Sequence, residues 1–423
     1  MLPSDAWLSC EAKRLRTAPN GPSYHSLRAG NSFCVTLHGM PYLVNESELA
    51  SWLRLSLEPD LSPAQARLLL ARFGLPQDIY SQSVSALSQV VPSQLAAQLK
   101  ADPSPELATL IQRSVEWASL DANTIISLAD QSYPQALLNS HNPPLLLYAK
   151  GNISLLNLPS LAIVGARSST AAGNENAFSF ARHLCSQGWT IISGLASGID
   201  TAAHQGSLAA DHPQASTIAV LGTGIDLVYP ATNRKLAHRI AEKGLLLSEF
   251  ALGTKALPYH FPKRNHIVAA LANGTLVVEA ALKSGSLITA KYASEMGREV
   301  FAIPGSIHSP LSKGCHQLIR QGAKLVDSAQ DINDELKNIL PANQQLPEPH
   351  QLALTKATHA VTINDPTQQQ VLDALGYEMM SPDALQQRTQ LATAELATAL
   401  VELELQGVIQ QLSSGDYQRL ASS

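Results

Sequence analysis

The chain has 423 residues, 45% of them hydrophobic and 15% charged, with a formal net charge of −5. That is an ordinary globular composition with length for roughly two to four domains. No apolar run is long enough to span a bilayer, so no membrane partner is expected. Its four cysteines, Cys10, Cys34, Cys185 and Cys315, form no CxxC pair, which argues against a disulfide framework or a zinc site and suits a reducing cytoplasm. The charge is unevenly spread: Arg234 to Lys324 holds 13 Lys and Arg against 5 Asp and Glu, and Leu325 to Ser423 holds 4 against 13. Such asymmetry suggests a polyanion site in the middle of the chain and a different partner at its C-terminal end.

Residues 1–39 mix Pro, Gly, Ser and Arg without periodicity and lack a signal-peptide core. They are expected to be disordered, or to be an over-extended start with Met40 as the initiator. Residues 40–115 read as a small helical domain resembling a SAM or helix-hairpin-helix module. Asn45 and Glu48 are spaced as a capping box, Ser62-Pro63 opens a helix that Gly74 closes, and Pro92-Ser93 opens another. Binding of DNA backbone, binding of protein and plain packing all remain open for it.

Residues 116–337 read as the central domain. A connector with Pro143-Pro144 leads into a short apolar strand. Strand-like segments at 161–166, 190–194, 217–222, 245–249, 275–280 and 299–304 then alternate with amphipathic helical stretches. The alternation predicts an α/β fold, an extended Rossmann-like doubly wound parallel sheet whose ligands sit at the carboxyl ends of the strands. Those ends carry small residues and cations. Gly165-Ala-Arg167 follows the first strand, with a guanidinium fork where a dinucleotide fold would want a second glycine. Ser193-Gly194 and Ser197-Gly198-Ile199-Asp200 follow the second; backbone amides there suit phosphate, while Asp200 reads as a helix cap or as the group that orients a neighbouring arginine. Gly222-Thr-Gly224 is a GxG without its third glycine, equally explained by a turn needing positive φ, and leads on to Asn233.

The sharpest element is Tyr259-His-Phe261-Pro-Lys263-Arg264-Asn265. An aromatic beside Lys and Arg offers a π-face for a base and cations for its phosphate, the combination single-stranded nucleic acid requires. Lys283-Ser284-Gly285-Ser286, with Thr289 and Lys291 further on, opens a helix in an anion-friendly way. Glu279 could act as a base but has no nucleophile or orienting partner in the sequence, and His204, His260, His266 and His308 lack metal-ligand spacing. No catalytic residue, metal or cofactor is therefore expected.

Residues 338–366, rich in Pro, Gln and Ala, read as a linker. Residues 367–423 read as three helices and a small hairpin, a winged-helix-like domain. Its third helix, TAELATALVELEL, carries Glu395, Glu402 and Glu404 and no base. A groove-reading helix needs Arg, Lys, Asn or Gln, so this domain is expected to contact protein or to be autoinhibitory.

Taken together, GARSST, SGLASGID, GTGIDLVYPATN, SEF, FPKRN, VVEAALKSGSLITA and GREVFAIPG resemble the DNA-processing protein A family (DprA, Smf), over about Tyr133 to Asp327. The resemblance implies a dimeric, non-enzymatic protein that binds single-stranded DNA, protects it and loads the RecA recombinase during natural transformation. It implies phosphate contacts from Arg167, Ser193, Gly194, Lys263, Arg264 and Asn265, with Phe261 near a base. Two positions depart from the family pattern: His266 stands where a second arginine is common after the asparagine, and Lys263 where arginine is common. The alternative is a phosphoribohydrolase of the lysine-decarboxylase-like group, whose PGGxGTxxE signature is matched only loosely by Ile303 to Ser312. An NAD-dependent oxidoreductase ranks last, for want of GxGxxG and a ribose clamp.

Overall fold

The computed structural model describes residues 32–37, 40–337, 365–376, 379–412 and 415–419. The expectations for residues 1–31 and for the linker at 338–364 lie outside the described residues. The chain divides into two units, Met1–Ile153 with Thr223–Leu227 and Leu247–Ala256, and the remainder.

In the first unit, β1 (Ser32–Leu37) pairs antiparallel with β2 (Met40–Asn45). Six of the stretch's residues expected to lack structure thus form a strand, and Met40 begins another rather than leading into a helix. Helices α1 to α6 follow (Glu46–Leu57, Pro63–Phe73, Pro76–Ser81, Val84–Leu87, Ser93–Lys100 and Pro105–Ala118). The Ser62 capping box is present, with the Ser62 N–H donating to Gln65 Oε1 at 3.0 Å and the Gln65 N–H donating to Ser62 Oγ at 3.3 Å. Gly74 ends α2 at φ 93°, a left-handed backbone that favours glycine. Trp52, Leu53, Leu69, Ile79, Leu87 and Leu99 are buried among these helices. The unit also takes in the antiparallel pair β3 (Asn123–Ser127) and β4 (Leu146–Gly151), with the short α7 (Gln135–Leu138) between them.

The second unit holds the parallel sheet. Its strands are β5 (Ser160–Val164), β6 (Thr190–Ser193), β7 (Thr217–Val220), β9 (Gly274–Val277), β10 (Glu299–Ala302) and β11 (Lys324–Leu325), with β8 (Leu245–Ser248) beginning here. The order is β11-β10-β9-β5-β6-β7-β8, and every neighbouring pair from β11 to β7 is parallel. The sheet grows one way from β5 through β7 and the other way through β9 to β11. The strand order therefore reverses between β5 and β9, which in doubly wound sheets opens a crevice at the carboxyl ends. All five residues of β5 are buried, as in a strand covered on both faces. Around the sheet lie α8 (Ala171–Ser186), α9 (Ile199–Ala210), α10 (Arg234–Lys243), α11 (His260–Leu271), α12 (Ser286–Glu295), α13 (Lys313–Arg320) and α14 (Ala329–Leu336). Leu161, Ile163, Leu184, Trp189, Leu276 and Phe301 share one apolar core there, and the Trp189 indole N–H donates to Asn333 Oδ1 at 2.9 Å.

The C-terminal residues form a winged helix of α15 (Pro366–Leu375), α16 (Pro382–Thr389), α17 (Thr393–Leu405) and the antiparallel pair β12 (Ile409–Gln411) and β13 (Tyr417–Arg419). It has its own core, in which Val371, Leu372, Leu385, Leu400, Leu403 and Ile409 meet.

Candidate nucleic-acid interface

The two strands that flank the reversal are tied together at their exits. Thr170 caps α8, accepting the Gly173 N–H at 2.9 Å. The Thr170 N–H and hydroxyl donate in turn to the two oxygens of Glu279, at 2.9 and 2.6 Å. Glu279, which follows β9, is thus engaged as a clamp on the loop that follows β5. Arg167, in that loop, is exposed.

Beyond β6 the chain is arranged around a buried charge pair. Arg264 is only 4% exposed, and its Nη1 lies 3.9 Å from Asp200 Oδ2. Nη1 also donates to the Val220 carbonyl at 3.3 Å. Asp200 Oδ2 accepts the N–H groups of Gly194 and Ala196, at 3.2 and 3.3 Å. Burial pushes the Asp200 carboxyl up, opposed by Arg264 and those two amides. A Cβ at Gly194 would lie 1.2 Å from Arg264 Nη1, so only glycine lets the guanidinium sit there. Gly198, at φ 75°, has no room either: a Cβ would stand 2.4 Å from the Ala166 carbonyl. Asn233 is buried, and its amide donates to the Leu195 carbonyl and to Thr201 Oγ1, both at 2.9 Å. The Ser193 hydroxyl donates to the Ile163 carbonyl at 2.7 Å inside the sheet.

The sequence reading counts Ser193, Asn233 and Arg264 among the DNA contacts; in the structure their side chains are buried and bond to backbone carbonyls of the sheet and its loops. For Arg264 the signal was present: Ile267, Val268 and Leu271 are buried on α11, and Arg264 precedes them at helical spacing, on the same face. Asp200 orients this arginine, one of the two roles read for it.

On the outside, Phe261 is half-buried and Lys263, two residues on, is exposed. The Arg167 guanidinium carbon lies 5.1 Å from the Phe261 ring centroid, within reach of a cation–π contact. Tyr229, which the sequence reading did not single out, has its ring centroid 5.8 Å from that of Phe261. Asn265 donates to the Gly285 carbonyl at 3.2 Å, tying α11 to the turn before α12. In that turn the Ser284 and Ser286 hydroxyls bond to each other at 2.7 Å, and Lys283 and Gly285 are exposed. Thr289 is buried, and Lys291 pairs with Glu295 at 3.7 Å. His266 packs edge-on against Tyr292. Among the described residues no cluster of His, Cys, Asp and Glu could hold a metal, and no helix is long and apolar enough to cross a membrane.

Arg167 follows β5, Gly194 and Gly198 follow β6, and Phe261 and Lys263 lie in α11, between β8 and β9. Residues 124–337 match the protein-family model for DNA recombination-mediator protein A. The chain belongs to that family. Residues 355–415 match the DprA winged helix domain. The chain is 33% identical over 405 residues to Protein Smf of a Synechocystis species, covering 88% of this chain and 99% of the relative. It is 47% identical over 211 residues to the DNA processing protein DprA of Streptococcus pneumoniae, covering 50% of this chain and 73% of that one. The X-ray structure of DprA from Streptococcus pneumoniae superposes with a TM-score of 0.59 at 36% identity, over 69% of this chain and 98% of that one.

Proposed function

We propose that this protein binds single-stranded DNA along the carboxyl edge of its parallel sheet and acts as a recombination mediator. It protects incoming strands and loads the RecA recombinase on them during natural transformation, working as a homodimer in the cytoplasm without catalytic turnover. The observation that carries this reading is the exposed Arg167 seated over the half-buried Phe261 ring, with Lys263 exposed two residues on. Cations beside aromatic rings serve a strand whose phosphates and bases are both accessible. Phosphate contacts then come from the loop at Gly165–Ser169 with Arg167, from Lys263, and from Lys283 and Gly285 before α12.

The two carboxylates at this edge favour binding over hydrolysis, because Glu279 is engaged by Thr170 and Asp200 by Arg264. The loading step is tested by following RecA filament growth on single strands precoated with single-strand-binding protein. Addition of this protein shortens the nucleation lag. An unchanged lag, with the protein bound to the same DNA, removes loading from the function and leaves binding.

A further inference from the structure

We propose that the exposed face of α10 is a phosphate track that carries a bound strand from the carboxyl edge of the sheet toward its opposite edge; this rests on the single-strand reading of that edge and extends it. Leu236, Ala237 and Ile240 bury one side of α10. Arg234, Lys235, His238, Arg239 and Glu242 are exposed on the other, as helical periodicity requires. Among the described residues Arg234, Lys235 and Arg239 have no hydrogen-bond or ion-pair partner; the ion pair on this helix belongs to Lys243, whose Nζ lies 3.2 Å from Asp211 Oδ1. In isolation the arrangement is unfavourable. Lys235 and Arg239 are like charges one turn apart, and Arg234 and Lys235 sit at the helix end that disfavours cations. A merely solvated face mixes its signs, whereas here three cations precede a single acid. Phosphates lying along α10 relieve both repulsions.

The helix is placed to receive a strand that leaves the Arg167 edge. Tyr229, whose ring centroid lies 5.8 Å from that of Phe261, precedes Arg234 by five residues. Immediately before α10, the buried Asn233 amide bonds the Leu195 carbonyl and Thr201 Oγ1, which fixes the start of the helix to the loop that follows β6. The other end lies at the beginning of β7, where a Cβ at Gly244 would stand 2.4 Å from the Thr217 carbonyl. α10 therefore runs from the carboxyl edge to the amino edge, and its 10 residues make it about 15 Å long. The free cations occupy its first two turns, and Glu242 with the Asp211–Lys243 pair closes the far end. A track of this extent adds contacts only for strands too long to be held at the edge alone.

The test titrates the full-length protein into labelled oligo(dT) of about 6 and about 25 nucleotides, lengths within and beyond a single compact site. With Lys235→Gln and Arg239→Gln combined, affinity for the long strand falls about fivefold and its salt slope flattens by about 1.4, two phosphates at about 0.7 each. The short strand binds within about twofold of wild type. Glu242→Gln, which removes the acid from the same face, tightens the long strand alone. Exchanging the two cations, Lys235→Arg with Arg239→Lys, keeps the long-strand affinity. An unchanged long-strand affinity and slope in the neutral variant overturns the track, and so does an equal loss on both lengths, while either result leaves single-strand binding in place. If the wild-type protein binds neither strand, the single-strand reading falls and the track with it.

Discussion

Gly194 and Arg264 compete for one small volume: a Cβ at the glycine would stand 1.2 Å from the guanidinium. Gly194→Ala must therefore push Arg264 away from Asp200, and breaking a buried pair costs about 3 kcal/mol. Urea unfolding should show that loss, together with weakened DNA binding as the 194–200 loop relaxes. A variant with wild-type stability would mean that Arg264 moves aside freely and is no strut. His204 lies in the same interior. Its Nδ1 is 2.7 Å from Thr217 Oγ1, whose hydroxyl donates to the Ile191 carbonyl, so Nδ1 carries the proton. Burial, and then the Arg264 charge, push His204 from 6.5 down to about 3. Between those values the unfolded chain binds a proton that the folded chain refuses, so stability falls as pH drops below about 6.5 and levels off near 3. The loss from this group is roughly 2 kcal/mol at about pH 5. His204→Gln should flatten that fall; an identical pH profile would remove His204 as its source. At this scale the sequence reveals which residues gather, through its glycines and the FPKRN run. It does not reveal which way each faces, because consecutive helix residues point about 100° apart. The packing of α11 sends Lys263 out and Arg264 in.

At the scale of elements, periodicity and punctuation are informative. All six expected strands of the sheet are present, as are the Ser62 cap and the three helices and hairpin of the winged helix. The strands missed have weaker signals. β11 is two residues long with both exposed, so no apolar pattern marks it, and the pairing of β1 with β2 is a contact between segments that local composition does not encode. The acids of α17 are taken up within their own domain: Glu402 accepts from Gln368 at 2.7 Å and Glu404 from the Gln411 N–H at 3.2 Å. The same helix leaves Val401 and Leu405 exposed and carries no base, a poor surface for a DNA groove. Deleting residues 365–423 is therefore expected to leave single-strand affinity within a factor of about three. A much larger loss on a binding titration would show that the winged helix contacts DNA directly.

Across the whole molecule the net charge of −5 conceals a basic stretch from Arg234 to Lys324 and an acidic one after it. The strand reversal between β5 and β9 brings loops distant in sequence to one edge of the parallel sheet. That convergence depends on strand order, which motif spacing alone leaves open. Binding through phosphates at this edge should release counterions and weaken steeply with salt. The most direct measurement is fluorescence anisotropy of one labelled sequence, as single strand and as duplex, over a salt series with wild type, Arg167→Ala and Lys263→Ala. The single strand should bind more tightly, and each substitution should weaken it and lower the salt slope by about one unit. Equal binding of duplex, or wild-type slopes in both folded variants, would contradict a single-strand site built on these two cations.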